Sequence, residues 1–191
     1  MRSSSRAQIW LALLGLLALT GTAAHAADQP DGQAGPSLLI EAFFGAYAGH
    51  GVATQHRPRV SVSRRELNVT IEPSDGGFAI AWTTVMHKEG NAKGERVVRR
   101  DNRLAFVPSG RPNLWRTVEE GDPASGETYA WARIEGDSLI TYVAWIDDDG
   151  MFDVDRYARQ ITPAGMKVSF RLTREGAEML SVEADLEKVA K

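Results

Sequence analysis

MKVSFRLTREGAEMLSVEADLE, residues 166–187, alternates along nearly its whole length. Met166, Val168, Phe170 and Leu172 stand against Lys167, Ser169, Arg171 and Thr173. Past Arg174-Glu175-Gly176, Leu180, Val182, Ala184 and Leu186 stand against Ser181, Glu183, Asp185 and Glu187. Successive side chains of a strand point to opposite faces, so a period of two with one apolar set predicts two half-buried strands. The glycine between them supplies the positive φ of a tight hairpin turn, which makes the pair antiparallel.

The same pattern extends through the rest of the chain. Phe78, Ile80, Trp82, Thr84 and Met86 form one face of a strand and Ala79, Ala81, Thr83, Val85 and His87 the other; Leu67, Val69 and Ile71 give a further case. Ser74-Asp75-Gly76-Gly77, Glu135-Gly136-Asp137 and Asp148-Asp149-Gly150 are turn signals between such runs. Strands are predicted near 46–55, 64–73, 77–88, 94–100, 103–108, 113–118, 127–135, 138–147, 151–161, 165–174 and 177–188, some of them merging. No helical pattern long enough for a parallel crossover lies between them. The expected fold is all-β: an antiparallel up-and-down β-barrel of about eight to ten strands, preceded by one short N-terminal helix. Lys167, Arg171, Glu183, Asp185 and Glu187 share one face of the late strands, which lipid contact forbids, so a membrane-spanning barrel is not expected.

Ahead of the strands the chain reads as an export signal. Arg2 and Arg6 precede an apolar run from Ile9 to Leu19, and Ala24-His25-Ala26 fits the small-residue cleavage rule. Residues 1–26 are expected to be a cleavable signal peptide, 27–36 a polar leader, and 37–191 a single barrel domain in the periplasm or outside the cell. The short helix is expected to start with Ser37 as its N-cap, to carry Leu38, Leu39, Ala42 and Phe43 on its apolar side, and to end at Gly45. The absence of cysteine excludes a lipid-anchored N-terminal Cys and disulfide stapling.

The chain has 22 Lys and Arg against 25 Asp and Glu; losing Arg2 and Arg6 leaves 20 against 25 and takes the net charge from −3 to −5. That balance argues against nucleic-acid binding, which needs a basic footprint. Arg96, Arg99, Arg100, Arg103, Arg111 and Arg116 do cluster. They read either as a patch for an anionic ligand or a membrane surface, or as a solvated face paired with Glu95, Asp101, Glu119 and Glu120.

The order of short helix, Gly45-Ala46-Tyr47, then a strand through Gly49 and Gly51 resembles the start of the lipocalin and wider calycin barrels, where a helical turn leads into Gly-x-Trp. Tyr47 stands here in place of that Trp. The pattern is also similar to uncharacterised exported barrel proteins of proteobacteria. The resemblance implies that Arg171 or Arg174 packs across Tyr47 to close the barrel base, and that the barrel binds a small apolar molecule.

Candidate site residues follow from the apolar faces. Phe78, Trp82, Met86, Trp131, Tyr142 and Trp145, with Phe152 and Phe170, are expected on inner faces, where they line a ligand pocket or fill a core; a small barrel is just wide enough for either. Arg156, if it points inward with Phe152 and Val154, becomes a buried cation: an anchor for a ligand carboxylate or half of a structural ion pair. His50 and His56 lack the company of a metal site, and Asp147-Asp148-Asp149-Gly150 fails the calcium-loop register, so no metal, cofactor or catalytic residue is assigned. The leading expectation is an exported, non-enzymatic barrel binding a small hydrophobic or amphipathic ligand. The alternatives are a filled barrel that binds an envelope protein through its outer surface and, more weakly, an isomerase or cyclase that uses the barrel as a template.

Overall fold

A computed structural model of the chain describes residues 38–88 and 96–189. The signal, the leader and the Ser37 cap lie outside the described residues. Ten strands run in chain order: β1 (Gly45–Gln55), β2 (Ser61–Ser74), β3 (Gly77–Lys88), β4 (Arg96–Pro108), β5 (Leu114–Thr117), β6 (Tyr129–Glu135), β7 (Ser138–Ile146), β8 (Phe152–Thr162), β9 (Gly165–Arg174) and β10 (Ala177–Val189). Each pairs antiparallel with its neighbours in sequence, and β10 pairs with β1, so the sheet closes into an up-and-down barrel. Closure removes the free edges that an open sheet would expose.

The predicted strands at 94–100 and 103–108 are one. Asp101 and Asn102 interrupt the apolar pattern but not the ladder: β4 pairs with β3 without a break from Lys88↔Arg96 to Phe78↔Phe106. On the outer face the Thr83 hydroxyl and the Arg99 guanidinium both donate to Asp101, which fits those polar residues into a strand. The expected N-terminal helix is a single 3₁₀ turn, Ile40–Phe43; its cap is Leu39, which makes no side-chain cap bond, and Phe44 is already extended. What holds the turn is tertiary. Phe43 is fully buried under the barrel, and the Tyr47 hydroxyl donates to its carbonyl at 3.0 Å.

That turn plugs one end of the barrel. Phe43, Tyr47, Ile71, Phe78, Phe106 and Leu186 fill the interior there. Phe78 stacks on Phe106 with centroids 5.1 Å apart and meets Trp115 edge-on at 5.5 Å. Such pairs add roughly 0.5–1.5 kcal/mol each beyond their area burial. The seam where β10 meets β1 depends on glycine: a Cβ at Gly49 would collide with the Asp185 carbonyl, and one at Gly51 would sit 2.6 Å from the Ala184 methyl.

The barrel base departs from what the resemblance implied. Neither Arg171 nor Arg174 packs on Tyr47; the Lys188 ammonium sits 5.7 Å above that ring instead. Arg171 is held on the outer wall by Glu183 and Glu178, and Arg174 belongs to the opposite end of the barrel, in a pair with Asp153.

Candidate functional site

The half of the barrel away from the plug is not filled. A cavity of about 300 Å³ opens there, walled mainly by Leu67, Val69, Trp82, Met86, Phe170 and Val182, with Trp145, Val168, Leu172 and Leu180 completing the apolar lining. Its volume lies at the small end of the range for small-molecule pockets. Its polar lining consists of Arg65, Thr84, Arg100, Asn102, Asp155, Tyr157 and Arg159.

β8 supplies the polar floor. It pairs with β7 in the register Leu139↔Arg159, Thr141↔Tyr157, Val143↔Asp155 and Trp145↔Asp153. This turns Asp153, Asp155, Tyr157 and Arg159 inward as one stripe and sends Phe152, Val154, Arg156 and Ala158 outward. The inward orientation considered for Arg156 is therefore corrected: the buried cation of β8 is Arg159, three residues on. Arg159 is 1% exposed, whereas Phe152 on the other face is 43% exposed.

Arg159 is an incompletely satisfied guanidinium. One terminal nitrogen donates to the Thr141 hydroxyl at 3.1 Å, and Nε has no hydrogen-bond partner. The group lies 5.5 Å from the centroid of the Trp82 ring and 5.0 Å from that of Tyr157. Desolvation by burial pushes its pKa down, although a guanidinium keeps its proton in a protein. Two cation–π contacts of about 2 kcal/mol at best offset only part of a desolvation cost of several kcal/mol per ion.

The neighbouring groups are perturbed as well. The Tyr157 hydroxyl donates to Asp155 at 3.4 Å. Burial raises the Asp155 carboxyl to about 6, the Tyr157 hydrogen bond opposing and the nearby Asp153 charge adding to the rise. Burial also drives the Tyr157 phenol well above its usual range. Nearer the mouth, Arg65 is pushed down by burial and by the like charge of Arg100, so two arginines of the lining stand close enough to repel.

Asp153 is occupied. Arg174 grips it through Nε at 2.9 Å and a terminal nitrogen at 2.6 Å, and the same guanidinium reaches Asp147 at 2.9 Å. Asp147 also accepts the backbone N–H groups of Asp149 and Met151, so it organises the β7–β8 turn. His56 contacts Ser181 at 2.8 Å and Glu178 at 2.9 Å, while His50 is exposed on the outside of β1. Among the described residues no three His, Asp or Glu side chains converge as a metal site.

Of the residues singled out in the sequence, Trp82, Met86 and Trp145 line the cavity, as does Phe170. Phe78 faces inward but belongs to the packed end. Trp131 and Tyr142 are not brought to the cavity. Buried Ala130, Ala132 and Ile134 alternate with Trp131, which stacks on Tyr142 at 4.8 Å on the outer wall. Parity within β7 already separates them: Tyr142 and Trp145 are three residues apart, so one strand cannot turn both inward. Arg159, Asp155, Tyr157 and Arg65 are not assigned to a pocket by the sequence, and Arg100 is read there only as a member of the arginine cluster. The signal that finds Arg159 is the β7–β8 register counted back from the Asp147–Gly150 turn.

No protein-family model matches this chain, and no curated protein matches it significantly. The site is read from its own geometry.

Proposed function

We propose that this protein, exported and freed of its signal peptide, binds a small amphipathic molecule in the open half of the barrel, with an acidic head group on Arg159 and an apolar body against Trp82, Met86, Phe170 and Val182. The observation that carries the reading is the unpartnered Nε of a fully buried arginine facing a cavity whose wall is mainly apolar. A buried charge lacking a counter-ion is unfavourable, and an incoming carboxylate would supply both the charge and the missing acceptor. The apolar wall favours a ligand with an aliphatic or aromatic body over a bare anion. The reading agrees with the ligand-binding role that the calycin resemblance implies, and it needs no catalytic residue.

A direct test compares dodecanoate with dodecanol, matched in chain length and differing in the head. Titration calorimetry is expected to give dodecanoate at least about tenfold tighter binding, the value of one charge-assisted contact. Equal affinities would remove the acidic head from the proposal. Binding of neither, together with no small molecule released in mass spectrometry of protein recovered from the periplasm, would remove the ligand.

A further inference from the structure

Outside the cavity, the lip of the mouth formed by β1, β2 and β4 is unusual for a water-facing surface. Val60, Val62 and Val97 are 74, 66 and 55% exposed, and Val52 is 48% exposed. Val60 immediately precedes β2, Val62 lies at its start and Val97 at the start of β4, so these three stand at the open end. Val52 lies opposite Arg64 in the β1–β2 ladder, on the outer wall just below them.

Arginines are set among these valines. Arg57, Arg59, Arg64 and Arg99 are all exposed. Arg99 is tied to Asp101, but Arg57, Arg59 and Arg64 make no ion pair among the described residues. The opposite lip has the other sign, with Asp147, Asp148, Asp149 and Glu175 at the β7–β8 and β9–β10 turns. A chain of net charge −3 thus gathers unpaired cations on one side of one end, beside its exposed aliphatic groups.

We infer that this lip docks on an anionic lipid bilayer, the valines entering the headgroup layer and the arginines pairing with lipid phosphates. Val52 and Val62 are diagonal neighbours across the β1–β2 ladder with Val60 beside them, and exposed apolar groups gathered in this way mark an interaction surface. Arginines next to an anionic leaflet each add attraction that falls off within a Debye length. A protein partner would be met better by buried aromatic anchors than by separate valines spaced by unpaired cations. Docking this way turns the cavity mouth toward the lipid, with Arg65 and Arg100 on the inner side of the same strands. The inference stands on the outer surface and does not need the cavity to hold a ligand.

Vesicle co-sedimentation tests it, using protein recovered from the periplasm of an expressing bacterium with its N-terminus read by mass spectrometry. Vesicles are pure phosphatidylcholine or contain one-third phosphatidylglycerol. Binding to the anionic vesicles only, weakened by added salt, is expected. The double variants Val60→Asn/Val62→Asn and Arg57→Gln/Arg59→Gln should each lower it by about tenfold with unchanged thermal melting, since all four side chains are exposed. Arg159→Met should leave it unchanged, which separates this inference from the cavity reading. Equal sedimentation with both vesicle types, no sedimentation, or binding insensitive to both double variants would overturn it. So would a protein crosslinked through position 62 in cells when the vesicle assay is negative.

Discussion

The guanidinium of Arg159 lies 5.5 Å from the centroid of the Trp82 ring, although β8 and β3 are five strands apart in the closed sheet and face each other across the barrel. The contact places the one fully buried cation among the described residues beside a tryptophan that also lines the cavity. It makes the site visible to fluorescence and ties its chemistry to closure of the sheet.

Arg159→Met keeps the length of the side chain and removes the charge. Affinity for dodecanoate should fall by about tenfold or more while that for dodecanol stays the same, as calorimetry will measure. Because the substitution also removes an incompletely partnered buried charge, the melting temperature should hold or rise. A fall of many degrees would mean that Arg159 is a structural element of the barrel rather than a ligand anchor.

Tryptophan substitutions should separate the two faces of the wall. Trp82 and Trp145 line the cavity, whereas Trp131 stacks on Tyr142 outside it. Ligand-induced quenching of emission is expected to shrink in Trp82→Phe and Trp145→Phe and to survive in Trp131→Phe. A loss confined to Trp131→Phe would place the ligand on the outer wall.

Asp155 should make both stability and binding depend on pH. Its carboxyl is raised to about 6 by burial, so the folded protein holds this proton more tightly than the unfolded chain does. The associated stability is present below the unfolded-state pKa of about 3.9 and is lost as pH rises through about 6. Above that point an ionised carboxylate stands in the cavity, and it also repels an acidic ligand. The groups around it are the neutral Tyr157 hydroxyl, Asp153 with its partner Arg174, and Arg159 on the same stripe. Asp155→Asn should therefore raise the melting temperature by several degrees at pH 8 and by little at pH 4.5, and should flatten a decline of dodecanoate affinity between about pH 5.5 and 8, where the ligand stays ionised. Thermal melts at the first pair of pH values and titrations at the second check both effects.

The plug is the most exacting packing site. Phe43→Ala empties the closed end of a ring that is 0% exposed, while the backbone carbonyl of residue 43 still accepts from the Tyr47 hydroxyl. A loss of about 3–5 kcal/mol is expected in urea denaturation. Gly49→Val should be comparably damaging, because its Cβ meets the Asp185 backbone and no side-chain rotation relieves that contact.

Alternation and turn chemistry made most of the wall legible. The runs read from residues 64–73, 77–88, 165–174 and 177–188 correspond to β2, β3, β9 and β10 within a few residues at each end, because each has one clearly apolar face and a glycine turn. In β9 and β10 the apolar set could only point inward, and it does: Val168, Phe170 and Val182 line the cavity. The break read inside β4 and the helix read before β1 failed for a common reason. Local pattern was overridden by partners distant in sequence, Thr83 for Asp101 in the first case and the barrel base for Phe43 in the second.

What the amino-acid order determined alone was the period of two, the positions of the hairpins and hence a sheet that meanders. Which face of β8 is inner was left to the tertiary structure. Phe152, Val154 and Ala158 look apolar beside Arg156, and Asp153, Asp155 and Arg159 look polar around Tyr157, so hydrophobicity favours the wrong side. Pairing through the β7–β8 turn outweighs it: with Trp145 opposite Asp153 and Leu139 opposite Arg159, turning Phe152 and Val154 inward at this register would expel Leu139, Val143 and Trp145. Closure of the barrel then buries Arg159 between two rings, and only that closed geometry creates a cavity with an unanswered charge.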